Sequence, residues 1–397
     1  MTRKPRSPHF RVALGVLILA PLFRCANSDH RDGSDQVRRL PSPSPVTAPV
    51  DTARLSARIA GIEAAIEENR RRLNVPGAGV AIVLADRPIL LRGFGERNTS
   101  AEPVTPSTLF SIGSCTKPFT ALAAAISADR GLLSLDESPR KFLPYFALSD
   151  AEADSQVTIR DLLSHRTGVP DDLPAGWFER YPTREGLIRA AMRSAPTARI
   201  RERWQYNNYM YLAAGEALAA AHRSTFERVM RELILDPLSM RSSNLSIAAM
   251  ARSQDFSFGF SPDSQRRQLP MDTLAYLGGI APAGGINSNA EDMAQWLRLM
   301  LAAGMLDGRR LVSEDGFRAL LTTAVTTPAG KGYGLGWFIE DWHGYSLVNH
   351  PGGVIGFATR CDLLPERGLG WVVLTNVDDL AFSNAVREII YEHLLRQ

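Results

Sequence analysis

The stretch that decides the fold reads Phe110-Ser111-Ile112-Gly113-Ser114-Cys115-Thr116-Lys117-Pro118-Phe119-Thr120, and Ala-Leu-Ala-Ala-Ala-Ile follows it at 121–126. An apolar, β-favouring segment turns at Gly113 into Ala- and Leu-rich sequence that favours a helix. Ser114 is therefore predicted to lie in the first turn of a buried helix. Lys117 follows one turn later and projects from the same face.

A serine followed by a lysine at this spacing indicates nucleophilic catalysis. A serine hydroxyl is a poor nucleophile until a base takes its proton, and a buried lysine with a depressed pKa can be that base. The chain has only four lysines, at positions 4, 117, 141 and 331. Arginine could not replace Lys117 as a base because it does not deprotonate in proteins. The hypothesis from this stretch is an acyl-transfer serine enzyme.

A second Ser-x-x-Lys sequence occurs at Ser138-Pro139-Arg140-Lys141. Pro139 lies inside it, and the surrounding Asp-Glu-Ser-Pro sequence is typical of a turn. A regular helix would not bring these two side chains together. We interpret this copy as a chance occurrence.

Composition and the N-terminal sequence bound the remaining choices. The 397 residues are 45% hydrophobic, enough to bury the core of one large domain or of two smaller ones. The net charge of +3 is not the large basic excess that would indicate nucleic-acid binding. Residues 1–26 have a basic head and a short apolar run, which predicts an export signal or, alternatively, an uncleaved membrane anchor. Lipidation at Cys25 is a further alternative, although Arg24 fits that pattern poorly. We therefore expect an exported protein, periplasmic or extracellular, with the N-terminal segment as a membrane anchor in the alternative case.

The order of the predicted elements indicates an α+β fold. Residues 27–50 are rich in Ser, Pro, Asp and Arg and predict a disordered linker, so folded sequence is expected over 51–397. An amphipathic helix ends before Pro76, a β-hairpin covers 79–84 and 89–95, a mostly helical lobe covers about 120–300, and strands return at 333–339, 346–349, 356–364 and 370–376. A last helix is predicted at 382–395. Strands from both ends of the chain are expected to form one antiparallel sheet, with the helical lobe inserted between them.

Two further motifs could complete a catalytic site. Tyr206 could relay a proton, and Asn208 could bind a substrate carbonyl or Lys117. In His350-Pro351-Gly352-Gly353 the glycines let substrate backbone approach, and the N–H of Gly353 could form an oxyanion hole with that of Ser114. Each motif has a plain structural alternative, a packed helix-start tyrosine in the first case and a glycine turn in the second.

Together the motifs resemble the Ser-x-x-Lys, Tyr-x-Asn and Lys/His-x-Gly signatures of the serine β-lactamase and penicillin-binding protein superfamily, especially its class C β-lactamase-related branch. The resemblance extends from about residue 51 to the C-terminus and includes further similar stretches at 162–170, 236–240, 283–288, 333–337 and 373–376. It implies a cleft between an antiparallel sheet and a helical lobe. It also implies Ser114 as the acylated nucleophile, Lys117 as its base, Tyr206 as the proton shuttle and Asn208 as a positioning group, without a metal or cofactor.

Three other residues invite functional interpretations that we do not favour. His165 lies in one of the stretches that resemble the family, so a structural role is expected for it. Cys115 and Cys361 could pair, but one belongs to the predicted active-site helix and the other to a distant strand. We expect two buried free thiols.

Two departures from the family pattern bear on the substrate. Where class C β-lactamases carry lysine in the third motif this chain has His350, which is mostly neutral at pH 7 and attracts a carboxylate less. At the position of Pro351 the family often has a residue with a hydroxyl group, which proline lacks. We therefore expect a serine hydrolase for esters or D-amino-acid-type amides and peptides. The alternatives are a D-alanyl-D-alanine carboxypeptidase, a weak β-lactamase, or a non-catalytic protein that binds peptidoglycan fragments. An α/β-hydrolase is disfavoured because the sequence has no Gly-x-Ser-x-Gly.

Overall fold

The computed structural model describes residues 52–173 and 176–396. The predicted export signal and linker lie outside these residues. Within them the fold is α+β, as predicted, with one large antiparallel sheet and a helical lobe between its first two and its later strands. None of the described helices is long and apolar enough to cross a bilayer.

The large sheet joins the two ends of the described chain. Its eight strands among the described residues run in the order β2-β1-β12-β11-β10-β9-β8-β7. Two short antiparallel pairs, β3–β4 and β5–β6, lie outside it. The strands are β1 (Gly77–Leu84), β2 (Arg87–Gly95), β3 (Phe110–Ser111), β4 (Asn287–Ser288), β5 (Met305–Leu306), β6 (Arg309–Arg310), β7 (Val325–Thr326), β8 (Gly332–Tyr333), β9 (Phe338–Trp342), β10 (Tyr345–Val354), β11 (Phe357–Leu364) and β12 (Leu369–Thr375).

The helices account for most of the inserted lobe. They are α1 (Thr52–Arg72), α2 (Thr116–Asp129), α3 (Ala151–Gln156), α4 (Ile159–Leu163), α5 (Trp177–Arg180), α6 (Arg184–Ala191), α7 (Asn208–Ala221), α8 (Phe226–Met230), α9 (Ile247–Arg252), α10 (Ala281–Gly284), α11 (Ala290–Leu301), α12 (Glu314–Leu321) and α13 (Ala381–Ile390). A π-helical turn, Tyr391–Leu395, extends α13.

The sheet is buried on both faces at its centre, because helices cover each side. Seven of the eight residues of β1 are buried, which explains why that strand reads as a continuous apolar run. On one face α1 and α13 pack over residues that include Val80, Ile82 and Val373. On the other face α11 covers Ala81 and Val372. The predicted pairing of terminal helices behind the sheet is confirmed.

The strand β10 is longer than predicted. The sequence predicts a strand that ends at Asn349, with a glycine turn as the structural alternative for the residues after it. Instead β10 continues to Val354, and Gly352 and Gly353 pair with Thr359 and Ala358 of β11. On its other side β9 pairs only with residues 345–349. Residues 350–354 therefore have one edge without a neighbouring strand, which is where a proline is tolerated. This free edge lies against the turn that carries Ser114.

Candidate active site

Ser114 lies on a 3₁₀ turn, Gly113–Cys115, that leads directly into α2. Gly113 has a φ of +51°, a conformation that favours glycine, and a Cβ built on it would lie 3.0 Å from the backbone N of Gly353. A Cβ on Gly352 would lie only 2.1 Å from the carbonyl oxygen of Ile112. These glycines therefore allow the free edge of β10 to approach the serine turn closely.

Lys117 is completely buried and its Nζ contacts three oxygen atoms. Nζ lies 3.1 Å from Ser114 Oγ, 2.8 Å from Asn208 Oδ1 and 2.9 Å from the carbonyl oxygen of Ala283. A neutral amine has two N–H donors and one lone pair. It can therefore donate to the amide and carbonyl oxygens while it accepts the hydroxyl proton of Ser114.

The surroundings of Lys117 favour this neutral form. Burial lowers its pKa from 10.5 to about 7, and the negative charge of Asp171 opposes part of that effect. The face of the Tyr206 ring lies 4.6 Å from Nζ. A base with a pKa near 7 is half deprotonated at neutral pH, which is the range in which a general base works best.

Tyr206 precedes α7 and forms a hydrogen bond with Ser114. Burial raises the pKa of its phenol, so the hydroxyl keeps its proton at neutral pH. The group can therefore accept one proton and donate another without becoming a phenolate in the resting site. Ser114 and Lys117, predicted from one motif, and Tyr206, predicted from another, are thus brought together.

His165 accepts hydrogen bonds from the two residues that flank Tyr206. The backbone N–H of Gln205 donates to the carbonyl oxygen of His165 at 2.7 Å, and the backbone N–H of Asn207 donates to its Nδ1 at 3.0 Å. Because Nδ1 accepts, the ring proton must be on Nε2, and burial keeps the pKa of His165 well below 6.5. The side chain touches the Tyr206 ring at 4.3 Å between centroids but has no contact with Ser114 in this geometry. Its arrangement fits the predicted structural role.

Asp171 belongs to the site although sequence reasoning missed it. Its carboxylate accepts hydrogen bonds from the side-chain amide of Asn208 at 2.7 Å and from the backbone N–H of Asn208 at 3.3 Å. These bonds fix which way the amide points, so that Asn208 Oδ1 faces Lys117. Asp171 is exposed to solvent, although burial of its carboxyl by neighbouring groups raises its pKa above 3.8. It lies on an irregular loop, and the sequence contains no spacing that would have indicated its position.

His350 is almost completely buried and both its ring nitrogens have partners. Nδ1 donates to the carbonyl oxygen of Pro351 at 2.6 Å, and the hydroxyl of Tyr333 donates to Nε2 at 3.3 Å. Burial lowers the pKa of His350 to about 3, and the charge of Lys117 adds to this effect. The ring is therefore neutral at pH 7 and provides no charge for a substrate carboxylate. The sequence could have drawn attention to Tyr333 only through its place in a stretch that resembles the family.

The two cysteines form no disulfide, and the second Ser-x-x-Lys sequence has no part in this site. The thiol of Cys115, on the serine turn, donates to the carbonyl oxygen of His350 at 3.1 Å. Cys115 and Cys361 are buried and not bonded to each other. Ser138 accepts a hydrogen bond from the backbone N–H of Arg140, and Lys141 pairs with Glu137 at 2.7 Å. Ser138 and Lys141 therefore have other partners, in agreement with a chance occurrence.

Comparisons with known proteins show the family of the chain. A family model described as "Beta-lactamase" matches residues 62–394. The unguisins hydrolase ungD' of Aspergillus campestris is 28% identical over 346 residues, which cover 83% of this chain and 63% of that protein. The chain thus spans slightly less than two thirds of the length of the curated relatives it matches.

Solved structures show the same fold. The octameric penicillin-binding protein homologue from Pyrococcus abyssi superposes with a TM-score of 0.73 at 27% identity, covering 87% of this chain and 77% of that one. A D-stereospecific amidohydrolase from Streptomyces sp. superposes with a TM-score of 0.68 at 23% identity, covering 85% of this chain and 98% of that one.

Proposed function

Because the chain belongs to the β-lactamase family of hydrolases, we propose that it is a serine hydrolase that forms an acyl-enzyme with an ester or a D-amino-acid-type amide or peptide. The observation that carries the proposal is the contact of Lys117 Nζ with Ser114 Oγ at 3.1 Å, with the remaining positions around Nζ filled by Asn208 and Ala283. This arrangement holds the lysine lone pair on the serine hydroxyl.

In the acylation step Ser114 Oγ bonds to the substrate carbonyl carbon and gives its proton to Lys117 Nζ. The electron pair of the carbonyl moves to its oxygen, which the N–H groups of Ser114 and Gly353 stabilise. The proton then passes from Lys117 through the Tyr206 hydroxyl to the leaving group as the bond to that group breaks. The products of this step are an ester on Ser114 and the released alcohol or amine.

In the deacylation step a water molecule takes the place of the leaving group. Tyr206, coupled to Lys117, accepts one water proton while the water oxygen bonds to the acyl carbon. The bond from that carbon to Ser114 Oγ then breaks, and the proton returns to Oγ. The released acid completes the cycle and the site regains its starting protonation state.

The substrate class follows from the third motif. His350 is neutral and its nitrogens are occupied, and Pro351 offers neither a hydroxyl nor an N–H. A β-lactam carboxylate would therefore find little attraction along this edge. The name of the unguisins hydrolase supports a hydrolytic reaction. We expect slow turnover of nitrocefin, and a rate above roughly 100 per second, fast on the usual enzyme scale, would contradict this assignment.

The test is release of p-nitrophenol from a short-chain p-nitrophenyl ester by the wild type, Ser114→Ala and Ser138→Ala. Ser138→Ala is a matched control, since it removes the serine of the other Ser-x-x-Lys sequence. We expect an initial burst and steady turnover that only Ser114→Ala abolishes, with an acyl adduct on the Ser114 peptide by mass spectrometry. Comparison with D-Ala-D-Ala peptides separates esterase from carboxypeptidase activity. Release that persists in Ser114→Ala would reject Ser114 as the nucleophile. Absence of any release from the ester and the peptides, together with no acyl adduct on Ser114, would favour a non-catalytic ligand-binding protein.

A further inference from the structure

A carboxylate lies beside the exposed end of the substrate edge of β10. Gly353 is exposed, and a Cβ built on it would lie 3.2 Å from Oδ1 of Asp378, which follows the end of β12. Gly352, in contrast, is buried against the serine turn. Asp378 therefore lies next to the part of β10 that remains open to a bound molecule.

The carboxylate of Asp378 has no ion pair or side-chain hydrogen bond with any residue that the structure describes. Burial by its surroundings and the charge of Asp379 raise its pKa to about 6, so it is mostly ionised at pH 7.5. The neighbouring Asp379 differs, because its carboxylate accepts a hydrogen bond from the backbone N–H of Ala381 at 2.7 Å. Of these two adjacent acids, only Asp378 has a carboxylate without a hydrogen-bond or ion-pair partner among the described residues.

An aromatic ring adjoins the same place. The hydroxyl of Tyr276 accepts a hydrogen bond from the backbone N–H of Ile355, just beyond the end of β10, and its half-buried ring contacts Trp177 edge to face at 6.3 Å. Burial raises the pKa of Tyr276 to about 12, and the negative charge of Asp378 contributes to this rise. A carboxylate next to an aromatic ring is a combination that attracts organic cations.

Nearby groups do not cancel this negative charge. His350 is neutral, as shown above. Arg360, which pairs with Pro351 across the two strands, is buried and lies 3.5 Å from the carboxylate of Asp362. Asp362 also binds Arg387 at 2.7 Å. Arg360 and Arg387 thus interact with the buried carboxylate of Asp362, whereas Asp378 is exposed beside Gly353.

We propose that Asp378 and Tyr276 form a subsite beside Gly353 that binds an ammonium group of the substrate and disfavours a carboxylate there. The inference rests on the proposed function, since it concerns the substrate of the same serine. It predicts that the enzyme selects among esters and amides by charge. Substrates with a primary or quaternary ammonium group are favoured over neutral substrates of equal size, and neutral ones over anionic ones.

The test compares kcat/KM at pH 7.5 for two series of esters. The first varies the acyl group of p-nitrophenyl esters among 6-aminohexanoate, hexanoate and monoadipate. The second varies the leaving group between butyrylcholine and its neutral analogue 3,3-dimethylbutyl butyrate. Wild type, Asp378→Asn and the matched control Asp379→Asn are assayed, with Ser114→Ala as the blank. The two series place the charge in the acyl group and in the leaving group, so the subsite is tested on both sides of the scissile bond.

In at least one series we expect the wild type to prefer the cation. Asp378→Asn should reduce the ratio of cationic to neutral kcat/KM about three- to tenfold, the range for one partly solvated charge, while Asp379→Asn leaves the ratio within about twofold. Tyr276→Phe should keep most of the preference and Tyr276→Leu should lose part of it. Ser114-dependent turnover without any effect of Asp378→Asn on either ratio, or a preference for the anion, would overturn the subsite alone. Absence of Ser114-dependent turnover would overturn the proposed function as well.

Discussion

Replacing Asp171 by asparagine is expected to shift the pH at which the enzyme becomes active. The active form of the proposed base is neutral Lys117, whose pKa of about 7 sets the acidic limb of the profile of kcat/KM against pH. The carboxylate of Asp171 stabilises the protonated lysine and so raises this pKa. In Asp171→Asn the stabilisation is lost, the pKa of Lys117 falls, and the acidic limb moves to lower pH.

The size of the shift follows from the hydrogen-bonded path between the two groups. Lys117 Nζ is bonded to Asn208, whose amide is bonded to Asp171, with contacts of 2.8 and 2.7 Å. This path separates the charges by roughly 7 Å, where they interact by about 1 kcal/mol at an effective dielectric constant of about 40. This value lies between those of a protein surface and of water, and it suits a residue that is exposed although protein groups partly surround its carboxyl. Since one pKa unit equals about 1.4 kcal/mol, the expected shift is about 0.5 to 1 unit downward.

The assay is kcat/KM for a p-nitrophenyl ester between pH 5 and 9 at constant ionic strength. Asparagine can still accept the hydrogen bond from Asn208, so the variant tests charge rather than the position of the amide. Asp172→Asn is the control, because the carboxylate of Asp172 accepts instead from Ser194 at 2.8 Å, and its profile should match that of the wild type. An acidic limb in Asp171→Asn that stays within about 0.2 unit of wild type, or moves upward, would refute the reasoning.

Three further predictions, made with five substitutions, test the geometry of the site. Tyr206→Phe should lower kcat/KM about 10²- to 10⁴-fold with little change in melting temperature, because it removes only the hydroxyl bonded to Ser114. His165→Asn should keep kcat/KM and the melting temperature near wild type, since asparagine tolerates the φ of +59° and can accept a hydrogen bond from the N–H of Asn207. His165→Ala removes that acceptor and should cost about 1–3 kcal/mol of unfolding free energy. Gly352→Ala should destabilise the protein and abolish turnover, whereas Gly353→Ala should still fold.

Thermal unfolding and ester hydrolysis on the same samples check all three. Full activity in Tyr206→Phe would show that another group transfers the proton. Equal stability of the alanine and asparagine variants at position 165 would show that a side-chain acceptor for the N–H of Asn207 does not stabilise the protein. If the two glycine variants had the same melting temperature, the close approach of β10 to the serine turn would not matter for stability.

The parts of the site that local sequence determines could be predicted. Ser114 and Lys117 are three residues apart on one turn, so helical spacing alone brings them together. The carbonyl oxygen of Ala283 and the carboxylate of Asp171 also contact the lysine or its amide partner. Both come from segments far away in the chain, and their approach depends on how α2, α7 and α10 pack. No local pattern encodes such packing.

The behaviour of His350 illustrates a second limit. The sequence predicts a mostly neutral histidine from its ordinary pKa, and the structure provides the stronger cause, which is nearly complete burial against Tyr333. The length of β10 was underestimated for a related reason. Glycine and proline normally indicate a turn. Here pairing with β11 on one side and the approach of the serine turn on the other keep residues 350–354 extended.

The pairing of β1 with β12 has a consequence for how the protein acquires its structure. Ala78 pairs with Thr375 and Leu84 with Leu369, so each contact closes a loop of nearly the whole described chain. On the ribosome, the hairpin of β1 and β2 remains without its central neighbour until β12 has been synthesised. Its apolar residues stay exposed during that interval and favour aggregation or chaperone binding. Folding of the sheet is thus expected to be slow and to follow completion of the chain, because long-range pairing pays its loop-closure entropy first.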